Sequence, residues 1–91
     1  MHKRLCVYFS GTVQGVGFRF TTDRIARAFE ISGYVRNLPN GKVELVAEGE
    51  EGAAQDFLTA ILQSHMGSFI REVETHWTES EGEFKGFRIR A

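Results

Sequence analysis

Residues 5–29 read Leu5-Cys6-Val7-Tyr8-Phe9-Ser10-Gly11-Thr12-Val13-Gln14-Gly15-Val16-Gly17-Phe18-Arg19-Phe20-Thr21-Thr22-Asp23-Arg24-Ile25-Ala26-Arg27-Ala28-Phe29. Two periods meet in this stretch. Leu5, Val7 and Phe9 alternate with Cys6, Tyr8 and Ser10, which is the period-2 pattern of a strand. From Phe18 the period changes. Phe18, Thr22, Ile25 and Phe29 fall at i, i+4, i+7 and i+11, one stripe of a helix. Three glycines, Gly11, Gly15 and Gly17, lie between the two. A crossover helix after the first strand predicts that this strand ends beside the helix amino terminus.

Downstream the alternation returns. Gly33-Tyr34-Val35 opens a second strand, and Asn40-Gly41 predicts a two-residue hairpin turn. Val43, Leu45 and Ala47 then alternate with Lys42, Glu44 and Glu48 as a third strand. Ala54, Phe57, Leu58, Ile61 and Leu62 form an amphipathic helical stripe. Val73, Thr75 and Trp77 mark a fourth strand, with Val73 and Trp77 expected in the sheet core. Phe87 and Ile89 mark a short last strand, with Arg88 and Arg90 expected as solvated edge charges. The order is β-α-β-β-α-β with an extra carboxy-terminal strand. This is the split βαβ of a ferredoxin-like α+β sandwich, with two helices on one face of a mainly antiparallel sheet. Ninety-one residues suit a single domain, 1–91. The fold hosts many unrelated functions, so the site has to carry the functional conclusion.

Composition excludes several classes. Hydrophobic residues make up 42% and charged residues 25% of the chain, with a single proline; this is not the composition of a disordered segment. No apolar run reaches the ~18 residues of a membrane span. The amino terminus passes straight into a strand pattern without the apolar region of a signal peptide, so a cytoplasmic location is expected. Cys6 is the only cysteine, which excludes an internal disulfide and a Cys-x-x-Cys site; a buried or half-buried strand position is expected for it. His2, His65 and His76 are scattered, and no metal is expected. Residues 1–36 carry Lys3, Arg4, Arg19, Arg24, Arg27 and Arg36 against Asp23 and Glu30, a net +4, while residues 37–91 carry a net −5. That asymmetry suits a small anion but is too sparse for a nucleic-acid footprint. Residues 42–48 show no outward aromatic pair to stack bases. The expected partner is a small molecule, with no nucleic acid, no membrane and no cofactor, and the expected state is a monomer.

The chemistry concentrates in Gly11 to Arg19. Glycines let backbone N–H groups curl around a ligand, and the helix dipole favours an anion there. Arg19 falls in the first helical turn, where a guanidinium can grip two phosphate oxygens. Gln14 to Phe18 offer no good side-chain cap for the orphan N–H groups, so a phosphate or water has to satisfy them. The spacing is neither a Walker loop nor the dinucleotide fingerprint. On these residues alone, a glycine-rich turn without a ligand competes evenly with an anion site. Asn37, taken alone, reads as a strand-end asparagine bonded to its own backbone.

The two segments together resemble the acylphosphatase family. Gly11 to Arg19 matches G-x-V-Q-G-V-x-F-R at every position. Gly33 to Gly49 matches G-[FYW]-V-[KR]-N-x-x-x-G-x-V-x-x-x-x-x-G, through Asn37, Gly41 and Val43. The resemblance implies metal-independent hydrolysis of acyl phosphates to a carboxylate and inorganic phosphate. It implies Arg19 and Asn37 as catalytic residues, with Asn37 orienting the water. It implies a phosphate loop of Gln14, Gly15, Val16, Gly17, Phe18 and Arg19. The alternative is a non-catalytic phosphate- or ligand-binding module, or one that handles carbamoyl phosphate; the absence of an appended zinc or nucleotide domain counts against the latter. Ser64 to Ile70 departs from the family's usual turn and is expected to be a local variation away from the motifs.

Overall fold

The computed structural model describes residues 1–91. The elements are β1 (His2–Gly11), α1 (Phe18–Ala26), β2 (Ile31–Asn37), β3 (Val43–Glu50), α2 (Glu51–Gln63), a 3₁₀ helix (His65–Phe69), β4 (Ile70–Glu79) and β5 (Phe87–Ile89). They build one five-stranded sheet in the order β4-β1-β3-β2-β5. β3 runs antiparallel to both β1 and β2, and β4 antiparallel to β1. β5 adds to the β2 edge in parallel. β1 and β2 are thus parallel with β3 between them, the split βαβ arrangement read from the sequence. No helix is long and apolar enough to cross a membrane.

Burial follows the two periods. Leu5, Val7 and Phe9 of β1, Val35 of β2, and Val43, Leu45 and Ala47 of β3 form one buried face. Phe18 and Ala26 of α1 and Ala54, Phe57, Leu58 and Ile61 of α2 close over it. The Phe9 and Phe18 rings meet at 4.9 Å between centroids, so the first residue of α1 is anchored on β1. Truncating a buried phenylalanine of this kind costs about 3–5 kcal/mol. α1 ends earlier than its stripe: Arg27 is the carboxy-terminal cap, and Phe29 packs onto the core from the turn beyond.

Four expectations need correction. Val73 and Trp77 are each 38% exposed rather than in the sheet core. Their register beside Phe9 and Leu5 puts them on the helix-facing side, but β4 is an edge strand. The main helix contacts fall on β1, β2, β3 and β5 instead. The hairpin turn is not Asn40-Gly41 alone. Leu38 N–H donates to Lys42 O (2.8 Å) and Gly41 N–H to Leu38 O (3.1 Å), leaving a three-residue loop, Pro39 to Gly41. Asn40 has no positive φ, and only Gly41 does, at 90°. A two-residue turn would have placed Pro39, which has no N–H, in the ladder. The Ser64–Ile70 segment is not remote from the motifs. Its 3₁₀ helix, capped by Ser64 Oγ accepting from Met66 N–H (3.1 Å), ends with Phe69 O accepting from Thr12 N–H at 2.9 Å. Arg90 is not simply a solvated charge, because its guanidinium lies 3.8 Å from the Tyr34 ring centroid.

The face away from the helices holds buried charge. Glu44 is 7% exposed and Glu48 3%. Glu44 accepts from Tyr8 OH (3.2 Å), Tyr34 OH (3.1 Å) and Arg36 Nε (2.6 Å). Cys6 is half-buried there, its Sγ 3.6 Å from Tyr8 OH. Glu48 accepts from Arg4 Nε (2.8 Å) and from the backbone N–H groups of Glu81 (2.8 Å) and Gly82 (3.0 Å), which straps the β4–β5 connection across this face. Burial alone would raise the Glu48 pKa, but these donors overcome that and hold it below the usual carboxylate range. A depressed carboxyl contributes stability that is complete above its unfolded pKa of ~4.3 and is lost as pH falls through the lower folded value. Glu48→Gln is therefore expected to destabilise the fold by about 1–3 kcal/mol at pH 7. Thermal melts in steps from pH 7 to pH 2 should show this gap constant above ~pH 5 and shrinking below ~4.3.

Candidate active site

The Gly11–Arg19 segment is pinned at both ends before it does any chemistry. Gly11 lies so close to β4 that a Cβ there would stand 2.4 Å from Phe69 O and 2.8 Å from Arg71 N. Phe18 is held by Phe9 at the other end. Between them Gly15 and Gly17 take φ of 78° and 81°, the left-handed region that side chains resist. A Cβ on either would meet nothing within 4 Å. These two glycines serve the backbone path, and the space beside them is open.

The path has an electrostatic consequence. Gly17 is the amino-terminal cap of α1, without a capping side chain and without an acid in the first turn. No carbonyl or side chain accepts from the N–H groups of Gly15 to Phe20; the first backbone bond is Thr21 N–H to Gly17 O, at 3.0 Å. Donors that stay unpaired at a helix start, with the positive end of the dipole behind them, favour an anion.

Asn37 arrives from the sheet. It lies in one row with Val43 and Phe9, on the side the helices cover. Its neighbour Arg36 faces the other side and is bound to Glu44. The Asn37 side chain makes no hydrogen bond within the protein, so it is not bonded to its own backbone. Arg19 has no carboxylate within ion-pair distance. Both line a cleft of about 210 Å³ with Val13, Gly15, Gly17, Phe18, Phe20 and Ile89.

Two of the expected loop residues do not line the cleft with their side chains. Gln14 turns away and donates from Nε2 to Leu38 O (2.8 Å) and to Lys42 O (2.9 Å), bridging the neck of the hairpin just beyond Asn37. Val16 packs against the core. Sequence reasoning missed Val13, Phe20 and Ile89. Phe20 carried a signal: it is an aromatic two residues from Phe18, about 200° around the helix and off the buried stripe. Tyr34 lies on the opposite face, bound to Glu44. The cleft lining contains no carboxylate, cysteine, serine or histidine. No group of three His, Cys, Asp or Glu residues stands close enough to hold a metal. The arrangement suits holding a tetrahedral anion and acting on it without a side-chain nucleophile.

The family model for acylphosphatase matches residues 5–89. The acylphosphatase of Archaeoglobus fulgidus is 43% identical over 83 residues, spanning 91% of this chain and 92% of that one. The crystal structure of acylphosphatase from Bacillus subtilis superposes with a TM-score of 0.89 at 30% identity, covering 98% of this chain and 99% of that one. Full-length HypF in its phosphate- and nucleotide-bound form contains a similar domain, with a TM-score of 0.86 at 26% identity over 12% of its length. This chain belongs to the acylphosphatase family.

Proposed function

We propose that the protein hydrolyses acyl phosphates, with the backbone amides of residues 14–19 and the Arg19 guanidinium holding the phosphoryl group and Asn37 orienting the attacking water. The observation that carries this is the convergence of unpaired N–H groups, an unpaired arginine and an unpaired asparagine side chain on one cleft.

The reaction asks little of the protein. Water attacks phosphorus, the bond from phosphorus to the carboxyl oxygen breaks, and the water's proton leaves with phosphate or solvent. The departing carboxylate has a pKa near ~4 and leaves without protonation, so no general acid is required. The transition state is loose, with charge spread over the phosphoryl oxygens. Preorganised donors aimed at those oxygens lower the barrier, and water placement supplies the rest. The Asn37 side-chain oxygen accepts from the water and so directs the water's lone pair at phosphorus. Gln14 is a positioning residue: it locks the loop to the hairpin that carries Asn37, so the two halves of the site keep register.

The cleft, at about 210 Å³, suits a small-molecule substrate, and a monomeric, cytoplasmic protein without a nucleic-acid partner belongs to the same proposal. The alternative of a module working within a larger protein is less well supported. The HypF likeness covers 12% of that protein, whereas the A. fulgidus acylphosphatase is matched over 92% of its length.

Three variants test the roles. Arg19→Ala is expected to raise the inhibition constant for inorganic phosphate at least ~100-fold and to depress turnover with it, because two charge-assisted hydrogen bonds go. Asn37→Ala should leave phosphate inhibition close to wild type and lower kcat about 100-fold, the scale of one lost transition-state contact; an effect on KM alone would contradict its role. Gln14→Glu keeps the length but sets an acceptor against two carbonyls. It should cost about 1–3 kcal/mol in denaturant melts and lower kcat without rescue at saturating substrate.

A further inference from the structure

Phe20 is 61% exposed and Ile89 41%, and both border the cleft that holds Arg19 and Asn37. Neither exposure is forced by folding. Phe20 faces away from the buried stripe of α1, where a polar residue would serve the helix as well. Ile89 is set in place by the pairing of β5 with β2, opposite Val35, and by Arg90 N–H donating to Val35 O at 2.9 Å. That puts it two residues from Asn37 along the covered side. A single exposed apolar side chain is ordinary. Two of them on one cleft, beside Arg19 and Asn37, are a surface.

We infer that Phe20 and Ile89 form an apolar rim that receives the acyl group, so that the enzyme selects aromatic and bulky aliphatic acyl phosphates over short ones. The inference rests on the hydrolase reading above. Its logic is spatial. The amides of residues 14–19 and the Arg19 guanidinium claim the phosphoryl oxygens. The anhydride bends at its bridging oxygen, so the acyl substituent runs along a cleft wall. At about 210 Å³ the cleft is smaller than the ~300–1,000 Å³ of a site that encloses a drug-sized ligand. Anything larger than a short acyl group therefore emerges onto the rim. The rim binds the substituent in substrate and transition state alike, and discrimination appears in kcat/KM.

The test compares kcat/KM for benzoyl phosphate and acetyl phosphate in wild type, Phe20→Ser, Ile89→Ser and Phe20→Leu. Wild type should favour benzoyl phosphate. Each serine variant should shrink the benzoyl-to-acetyl ratio roughly fivefold to tenfold, at or below the lower end of the ~10–200-fold range of an enclosed hydrophobic pocket because the rim is open. Phe20→Leu, still apolar, should retain most of the ratio. Inhibition by inorganic phosphate, which has no acyl group, should change far less than benzoyl phosphate turnover. Equal losses on both substrates, or an unchanged ratio in both serine variants, would overturn the rim while leaving the hydrolase intact. A folded wild type that turns over neither substrate would overturn both.

Discussion

Unpaired backbone donors at the start of α1 are the constraint around which the rest is arranged. A helix start normally recruits a side chain to accept its orphan N–H groups. Here Gly15 and Gly17 carry the chain through left-handed conformations that aim those groups outward, and no residue answers them. Leaving donors in this state is tolerable only where solvent or a ligand reaches them, and the open space beside both glycines provides that access. Three ties hold the loop in place. Phe18 packs against Phe9 beneath it, Phe69 O receives Thr12 N–H on one side, and Gln14 clamps the hairpin on the other. The cradle is thus fixed by the core, the 3₁₀ helix and the hairpin.

The sheet's period of two divides labour between its faces. Along β2, Val35 and Asn37 face the helices, while Tyr34 and Arg36 face away. The far face consumes its charges internally: Arg36 and two tyrosines on Glu44, Arg4 and two backbone amides on Glu48. The near face keeps Arg19 unpaired and brings no acid to the cleft. An anion entering there meets donors and one cation with no competing carboxylate. The buried acids Glu44 and Glu48 thus stay on the far face and out of the cleft.

Much of this was legible in the sequence. The period change at Phe18 placed the strand, the loop and the helix, and the absence of a cap at Gly17 was visible from residue types alone. Two motifs located Arg19 and Asn37 on converging segments. What escaped depended on tertiary neighbours. Trp77 and Val73 alternate like core residues, but only the strand order reveals that β4 is an edge without a helix above it. Pro39 argues against a two-residue Asn40-Gly41 turn because it has no N–H for the ladder, so the Asn-Gly signal misleads there. The contact of Phe69 with Thr12 joins residues far apart in sequence. Gln14 sits inside a phosphate-loop motif while its amide points at the hairpin, and no spacing rule gives the direction of a side chain.

We place the bound anion on the backbone amides of residues 14–19. The most direct measurement is an NMR titration of the folded protein with inorganic phosphate, following backbone amide signals. Saturable shifts concentrated on residues 14–19, with the Asn37 side-chain amide moving at the same midpoint, are the predicted result. Shifts centred elsewhere on the surface, or none at concentrations that inhibit turnover, would contradict the account.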